Sequence, residues 1–152
     1  MSIAITSILD GVISHTAASG WFDRVQGHEV VNAPGHGLTA AVWVQRIKPI
    51  PLASGLAVTS ALLVLMQRLY QNALSEPRDA IDPNLIMAAD ALFAAYSNDF
   101  DLSGTIRNVD LLGQHGTALD GEAGYLDVSG KMFRIFDITI PLVVNDLWSQ
   151  SG

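Results

Sequence analysis

Residues 56–70 read LAVTSALLVLMQRLY, an apolar run whose first charge is Arg68. Apolar side chains occupy both the odd and the even positions, a pattern typical of a strand buried on both faces. The preceding segment Leu38–Lys48 is rich in β-branched and aromatic residues, which favours a second strand. Pro49–Gly55 carries turn residues between the two. The sequence therefore predicts a long hairpin.

The length of this hairpin bears on assembly. A straight strand over Leu56–Tyr70 would reach about 50 Å at about 3.3 Å per residue, whereas a compact domain of this size is about 40 Å across. The strand must bend, bulge or project, or end earlier and curl with its sheet. If it projects, its apolar faces need cover from another copy of the chain. The residues expected to form such an interface are Trp43, Leu63, Leu65, Phe133 and Ile135.

Helices and a second hairpin complete the expected fold. Apolar spacing predicts a helix at Ile5–Ile13 and another from Asp82 to about Asn98, and two further strands, Tyr125–Val128 and Lys131–Val144, turn at Ser129-Gly130. We expect one α+β domain over residues 1–152, with a mixed or antiparallel sheet of long hairpins flanked by two helices. The apolar stripe expected on the second helix consists of Leu85, Ile86, Ala89, Leu92, Phe93 and Tyr96.

Two further expectations concern a segment before the second hairpin and a proline within it. The segment Thr105–Leu112 could form a strand, and His115–Ala123 reads as an acidic turn region. Pro141 has no N–H to donate to a sheet, so we expect it at an edge, a bulge or a strand end.

Composition excludes several classes of function. The 152 residues include 8 Lys and Arg against 15 Asp and Glu, giving a formal charge of -7, and 49% are hydrophobic. Phosphate recognition and adhesion to anionic membranes need the opposite charge balance. The absence of cysteine excludes disulfides, thiolate metal sites and a Cys nucleophile. No targeting segment or membrane-spanning run is expected.

One motif suggests calcium. The segment from Asp99 to Asp110 places oxygen ligands at Asp99, Asp101 and Ser103, a glycine at the sharp turn and Asp110 at the closing position of a twelve-residue loop. Against this interpretation, Asp is shorter than the usual closing Glu and no helix is expected to follow. The alternative is a helix-to-strand connection with solvated acids.

The sequence contains none of the common catalytic motifs considered next. His28, Glu29 and His36 lack the helical spacing of a zinc protease, and the glycines around His36 are not followed by the Lys-Ser/Thr of a phosphate-binding loop. No nucleophile elbow is present. We therefore expect no enzymatic activity and no cofactor.

Several segments, in matching order along nearly the whole chain, resemble the tail terminator proteins of long-tailed bacteriophages, especially those that infect actinobacteria. No single motif is diagnostic, and the resemblance rests on the combination. The matching segments are His28-Glu29 with 33–35 and 37–44, Ala80–Asn84, Arg107–Gly113, Lys131–Arg134 and Ile140–Asp146.

The resemblance implies a virion structural protein without an active site or cofactor. Such proteins form a six-membered ring that caps the tail tube, ends tube growth and joins the tail to the head connector, in virions assembled in the host cytoplasm. The implied partners are other copies of this chain, the tail tube protein and the connector or stopper protein, while DNA passes through the lumen. Two alternatives stay open: a sibling neck or tail protein (a tube subunit or head–tail stopper), or a calcium-binding module.

The acidic charge has a possible use in such a ring. Six acids against Arg107 alone make Asp99–Asp127 the densest acidic region of the chain. Acidic residues that line a lumen would repel phosphate and let DNA pass. We expect some of these acids to face the lumen or the connector, with a solvated outer face as the alternative.

Overall fold

The computed structural model describes residues 5–27, 38–49, 58–72, 81–97, 106, 108–114, 116–128 and 130–149. Within these residues, two helices and six strands follow one another. Their order is α1 (Ile5–Ala18), β1 (Arg24–Gln26), β2 (Leu38–Pro49), β3 (Val58–Asn72), α2 (Ile81–Ser97), β4 (Asn108–Val109), β5 (Asp120–Val128) and β6 (Lys131–Ser149).

All six strands belong to one mixed sheet. The order is β1-β2-β3-β6, and β4 and β5 both pair with β6 along its remaining side. Only β1 runs parallel to its neighbour, while the other pairs are antiparallel. The structure thus confirms the predicted α+β class with its mixed sheet and two helices.

The long strand β3 lies at the centre of the sheet. Its neighbours β2 and β6 pair with it on either side, each with one register irregularity, between Val44 and Arg46 and between Thr59 and Ala61. Over its described residues, 58–72, β3 is therefore not part of a two-stranded projecting arm, because β6 pairs with it along nearly this whole stretch. This position also explains the apolar run: residues 61–65 are all buried, on both faces of the sheet.

One face of the sheet, called here the first face, carries both helices and the main core. Side chains from β2, β3 and β6 meet Ile8 and Val12 of α1 and the inner stripe of α2 there. The sheet contributes Leu38, Ala40, Val42, Ala61, Leu63, Leu65, Leu69, Ile138, Ile140, Leu142 and Val144.

The stripe of α2 differs from the expected one at a single position. Leu85, Ala88, Ala89, Leu92 and Tyr96 are buried and Phe93 packs beside them. Ile86 was expected in this stripe but is 43% exposed. The reason is rotational: positions i, i+3, i+4 and i+7 counted from Leu85 share one face, and i+1 lies off it.

A buried polar chain links both helices to the central strand. The hydroxyl of Tyr96 donates to Gln67 Oε1 at 2.6 Å, Gln67 Nε2 donates to Thr16 Oγ1 at 2.8 Å, and Thr16 Oγ1 donates to the Val12 carbonyl at 2.8 Å. Thr16, Gln67 and Tyr96 are almost fully buried. Because an unpaired polar atom there would cost about 1–3 kcal/mol, this chain fixes how α1 and α2 lie on β3.

Pro141 lies inside β6, at a break on one of its sides. The pairing with β5 ends at Thr139, and the pairing with β4 begins at Leu142. The Pro141 carbonyl accepts from the Asp110 amide at 2.9 Å. A residue's N–H and C=O point to the same side of an antiparallel strand, so the missing N–H faces the gap between β5 and β4. Of the expected places for Pro141, an edge, a bulge or a strand end, the structure shows a local edge: among the described strands, none pairs with β6 on this side at residue 141.

Other boundaries shift. The strand expected over Thr105–Leu112 is only Asn108–Val109, because the chain turns at Asp110. The region expected to be turns up to Ala123 already enters β5 at Asp120. The short β1 had no alternating pattern to indicate it, and it forms beside Trp21 and Phe22, which pack against the main core.

Candidate functional site

The second face of the sheet, opposite the helices, carries a separate apolar cluster. Tyr70 and Phe133 meet edge to face with ring centroids 6.2 Å apart. Ala41, Ile135 and Val128 complete the buried set, with Trp43 and Leu126 at its margin. The cluster thus joins side chains of β2, β3, β5 and β6 across the second face.

A charged pair lies beside this cluster. Arg68 Nε donates to Asp137 Oδ1 at 2.6 Å and Nη2 donates to Oδ2 at 3.3 Å, and the guanidinium lies 5.4 Å from the centre of the Trp43 ring. Burial opposes the charge on Arg68, but its contacts with Asp137 outweigh this and raise the pKa of Arg68 above its usual value. The two-point contact joins β3 to β6 and accounts for a charged residue inside the long apolar strand.

Each outer side of the sheet has an open stretch of backbone. On one side, β1 pairs with β2 only at residues 39–41, so from Val42 to Pro49 the outer side of β2 has no strand partner among the described residues. On the other side, β5 pairs with β6 over Asp120–Val128, and no other described strand pairs with it. Unpaired strand edges present N–H and C=O groups that can pair with another chain.

The two open edges carry opposite charge. On β2, Arg46 is exposed and Lys48 is half-buried, and this edge has no acid. On β5, Asp120, Glu122 and Asp127 are exposed and no base is present. Pairing rows place Arg46 beside Val64 and Glu122 beside Asp137, which are second-face positions.

The five residues expected to form a subunit interface lie mainly inside this chain. Leu63 and Leu65 are fully buried under the helices, and Phe133 and Ile135 are buried in the second-face cluster. Only Trp43 retains partial exposure, beside Arg68. Core burial leaves Leu63 and Leu65 no surface to offer another subunit in this conformation. The interface as such stays a prediction.

Of the proposed calcium ligands, only Asp110 lies within the described residues. Asp99, Asp101 and Ser103 lie outside the described residues. Asp110 is buried, and its Oδ1 accepts the Gln114 amide at 2.9 Å, so it caps the turn that follows β4. Among the described residues, no group of three or more His, Asp or Glu side chains is arranged to hold a metal ion.

The loop between β4 and β5, residues 110–119, is compact and has an apolar tip. The Leu119 amide closes it by donating to the Leu111 carbonyl at 3.3 Å. Gly113 and Gly116 have φ of 75° and 108°, the region that glycine adopts most readily. Leu112 is 87% exposed at this tip.

The sequence contained signals for the polar contacts that were not recognised. Gln67 and Arg68 interrupt an otherwise apolar strand, and such polar residues need partners once they are buried. Their partners Tyr96 and Asp137 lie 29 and 69 residues away. Without the strand register, no pattern in the sequence pairs them.

Comparisons with known proteins leave the family open. Within the described residues, no helix combines the length and the apolar character needed to cross a membrane. The sequence matches no protein-family profile and no curated protein. Among solved structures, a chain from the "Virion of native gene transfer agent (GTA) particle" is similar, with a TM-score of 0.35 and 14% identity over 88% of this chain and 84% of that chain. A likeness this low carries no argument about function.

Proposed function

We propose that this protein is a structural component of a phage-like virion, and more specifically the terminator that closes the tail tube as a ring of six copies. The observation that carries the proposal is the ordered series of segments that resemble tail terminators, which extends along nearly the whole chain. The α+β fold supports it, because that fold class is the one that the resemblance implies.

Features of the sheet also support a role in assembly. Backbone edges lie open on both sides of the sheet, at β2 and at β5, as far as the described strands extend. A subunit with two different edges can contact two neighbours at once, which a ring requires. In this proposal the ring contacts the tail tube protein and the connector or stopper, and it has no catalytic role.

The charge supports passage of DNA without retention. The net charge of -7 disfavours binding to phosphate. The exposed acids on β5 are candidates for the lumen or the connector face, whereas the carboxylate of Asp110 is buried in its turn and is not.

Electron microscopy of particles made without this protein tests the proposal. A missing terminator leaves tube growth unchecked, so we expect abnormally long tails, and supplying the wild-type chain should restore a single length. Absence of tails would instead identify a tube subunit. Tails of normal length that are detached from heads would identify a stopper. Either result would refute the terminator assignment.

Calcium titration separates the remaining alternative. In isothermal calorimetry, a genuine loop from Asp99 to Asp110 should bind calcium with saturable heat. We expect no such heat, because the Asp110 carboxylate already caps the turn at Gln114. Saturable heat that disappears in Asp110→Ala would favour the calcium-binding module.

A further inference from the structure

The two open edges of the sheet are complementary in direction, length and charge. Across the sheet, β2, β3, β6 and β5 alternate in direction, so β2 and β5 run in opposite directions. If a second copy continues the sheet, β5 of one copy meets β2 of the next as an antiparallel pair. The open stretch Val42–Pro49 and the strand Asp120–Val128 are similar in length.

We propose that copies of this chain join edge to edge, with the β2 edge of one copy paired to the β5 edge of the next. This rests on the proposed ring-forming function and specifies its contact. The pairing is head-to-tail, because the two edges are different surfaces of the chain.

Charge selects this pairing over the symmetric ones. Joining β2 to β2 would bring Arg46 and Lys48 towards their own copies, and joining β5 to β5 would do the same for Asp120 and Glu122. Like charges directly opposite each other destabilise a strand pair, and opposite charges stabilise it by about 0.2–1 kcal/mol. Only β2 against β5 brings bases to acids.

Side-chain alternation fixes a candidate register. The rows of the sheet put Arg46 and Lys48 on the second face, where Glu122 and Asp120 also lie. In an antiparallel pair, Arg46 opposite Glu122 puts Lys48 opposite Asp120. One register thus places both pairs of opposite charge on one face of the continued sheet. Arg46 and Glu122 are both exposed, whereas Lys48 is half-buried with its ammonium beside Gly116 of its own chain, so the contact rests on the first pair.

The offset between the two edges suits a closed arrangement. Glu122 lies in the same row as Asp137 and Arg68, whereas Arg46, its partner in this register, lies in the row of Val64. This is an offset of about four residues, or about 13 Å, against a width of about 19 Å for four strands about 4.8 Å apart. Joining the edges then tilts the strands by about 35°, the lower end of the roughly 35–45° of closed sheets.

Charged residues on an edge can instead serve to keep sheets apart. A proline at the end of β2 and the irregularity after Val44 would suit that role equally. The two interpretations make opposite predictions, because protective charges leave the chain monomeric whereas paired charges bind copies together.

Cysteine cross-linking distinguishes them, since the chain has no cysteine of its own. Residues opposite each other in an antiparallel pair have Cα atoms about 4.5–5.5 Å apart, within the range of about 4.4–6.8 Å that a disulfide spans. The double variant Arg46→Cys/Glu122→Cys should form a ladder of species beyond dimer on oxidation. Each single variant alone should not, and an equal mixture of the two singles should stop at dimer.

Charge reversal provides the second measurement, by sedimentation of the purified chain at low salt. Arg46→Glu should lose the multimers, and Arg46→Glu/Glu122→Arg should recover them. Asp90→Arg, at an exposed position on α2, matches the charge change of Glu122→Arg, so Arg46→Glu/Asp90→Arg is the control for this rescue: it restores the same net charge and should not recover the multimers.

Cross-linking in particles decides the outcome if the free chain is monomeric. A double-cysteine variant that gives no ladder either in solution or in purified particles overturns the edge pairing. If tails are still overlong without the protein, the terminator function stands and only the contact is wrong. If the protein is absent from purified particles, the proposed function fails instead.

Discussion

Packing between the β5–β6 hairpin and α2 depends on a glycine. A methyl group at Gly121 would overlap Cε1 of Phe136 and would lie 2.9 Å from Cζ of Phe93. Carbon atoms pack at about 3.5 Å or more, so the Phe93 ring would have to move by about 0.6 Å and the Phe136 ring by more. Overpacking of this kind costs about 1–3 kcal/mol. We therefore expect Gly121→Ala to lower the free energy of unfolding by about 2 kcal/mol.

The same strand offers a matched control. At Gly124 the added methyl would meet only Ile135, at 3.8 Å and 3.9 Å, which is ordinary contact. Because alanine also restricts the unfolded chain, Gly124→Ala should be neutral or stabilising by about 0.4–1 kcal/mol.

Urea denaturation at fixed protein concentration measures the difference between the two variants. For a chain of this length, about 2 kcal/mol corresponds to a fall in melting temperature of about 4–8 °C. The loss at Gly121 should shrink when Phe136 is shortened to leucine, because the two sites are in contact. Equal effects of Gly121→Ala and Gly124→Ala would refute the packing argument.

Four further predictions concern the polar contacts. Tyr96→Phe removes the donor to Gln67 and should lower unfolding free energy by about 1–2 kcal/mol; an unchanged urea midpoint would contradict the buried chain. Burial raises the pKa of Tyr96 from 10.0, so its stabilising contribution is complete below about pH 10 and is lost as pH rises further; the decline in urea midpoint above pH 10 should be shallower in Tyr96→Phe. Arg68→Lys keeps the charge but loses the two-point contact with Asp137 and should cost about 1 kcal/mol, with Arg24→Lys, at an exposed position, as the neutral comparison. Asp110→Ala should cost about 1 kcal/mol through loss of the Gln114 turn contact, whereas Asp110→Asn, which retains an acceptor oxygen, should cost less; equal losses in these two variants would argue against the cap.

Local patterns were enough to predict the longer elements. The β-branched and aromatic residues of Leu38–Lys48 and the apolar spacing in α1 and α2 predicted a strand and helices close to those observed, because these patterns lie within each element. Pro141 was informative on its own, since its missing N–H restricts where it can lie in a sheet.

The order of the strands in the sheet could not be predicted from local sequence patterns. An apolar run on both faces of β3 is compatible with a projecting arm or a central strand, and only the pairing with β6, which begins more than fifty residues later, separates the two. The interface residues were predicted from apolarity alone. Apolarity marks buried positions such as Leu63 and passes over charged, exposed edge positions such as Arg46 and Glu122. Edges are defined by which strands are neighbours, and a single sequence does not contain that information.

The break at Pro141 separates two short strands, and it bears on how the chain can evolve. The loop of residues 110–119 leaves the sheet from β4 and returns in β5 along the same side of β6. Insertions or deletions in this loop would leave the hydrogen bonds between β3 and β6 intact, and long surface loops add little entropic cost. Homologous chains can therefore lengthen or reshape this loop, including the residues around Leu112, while the rest of the molecule stays the same.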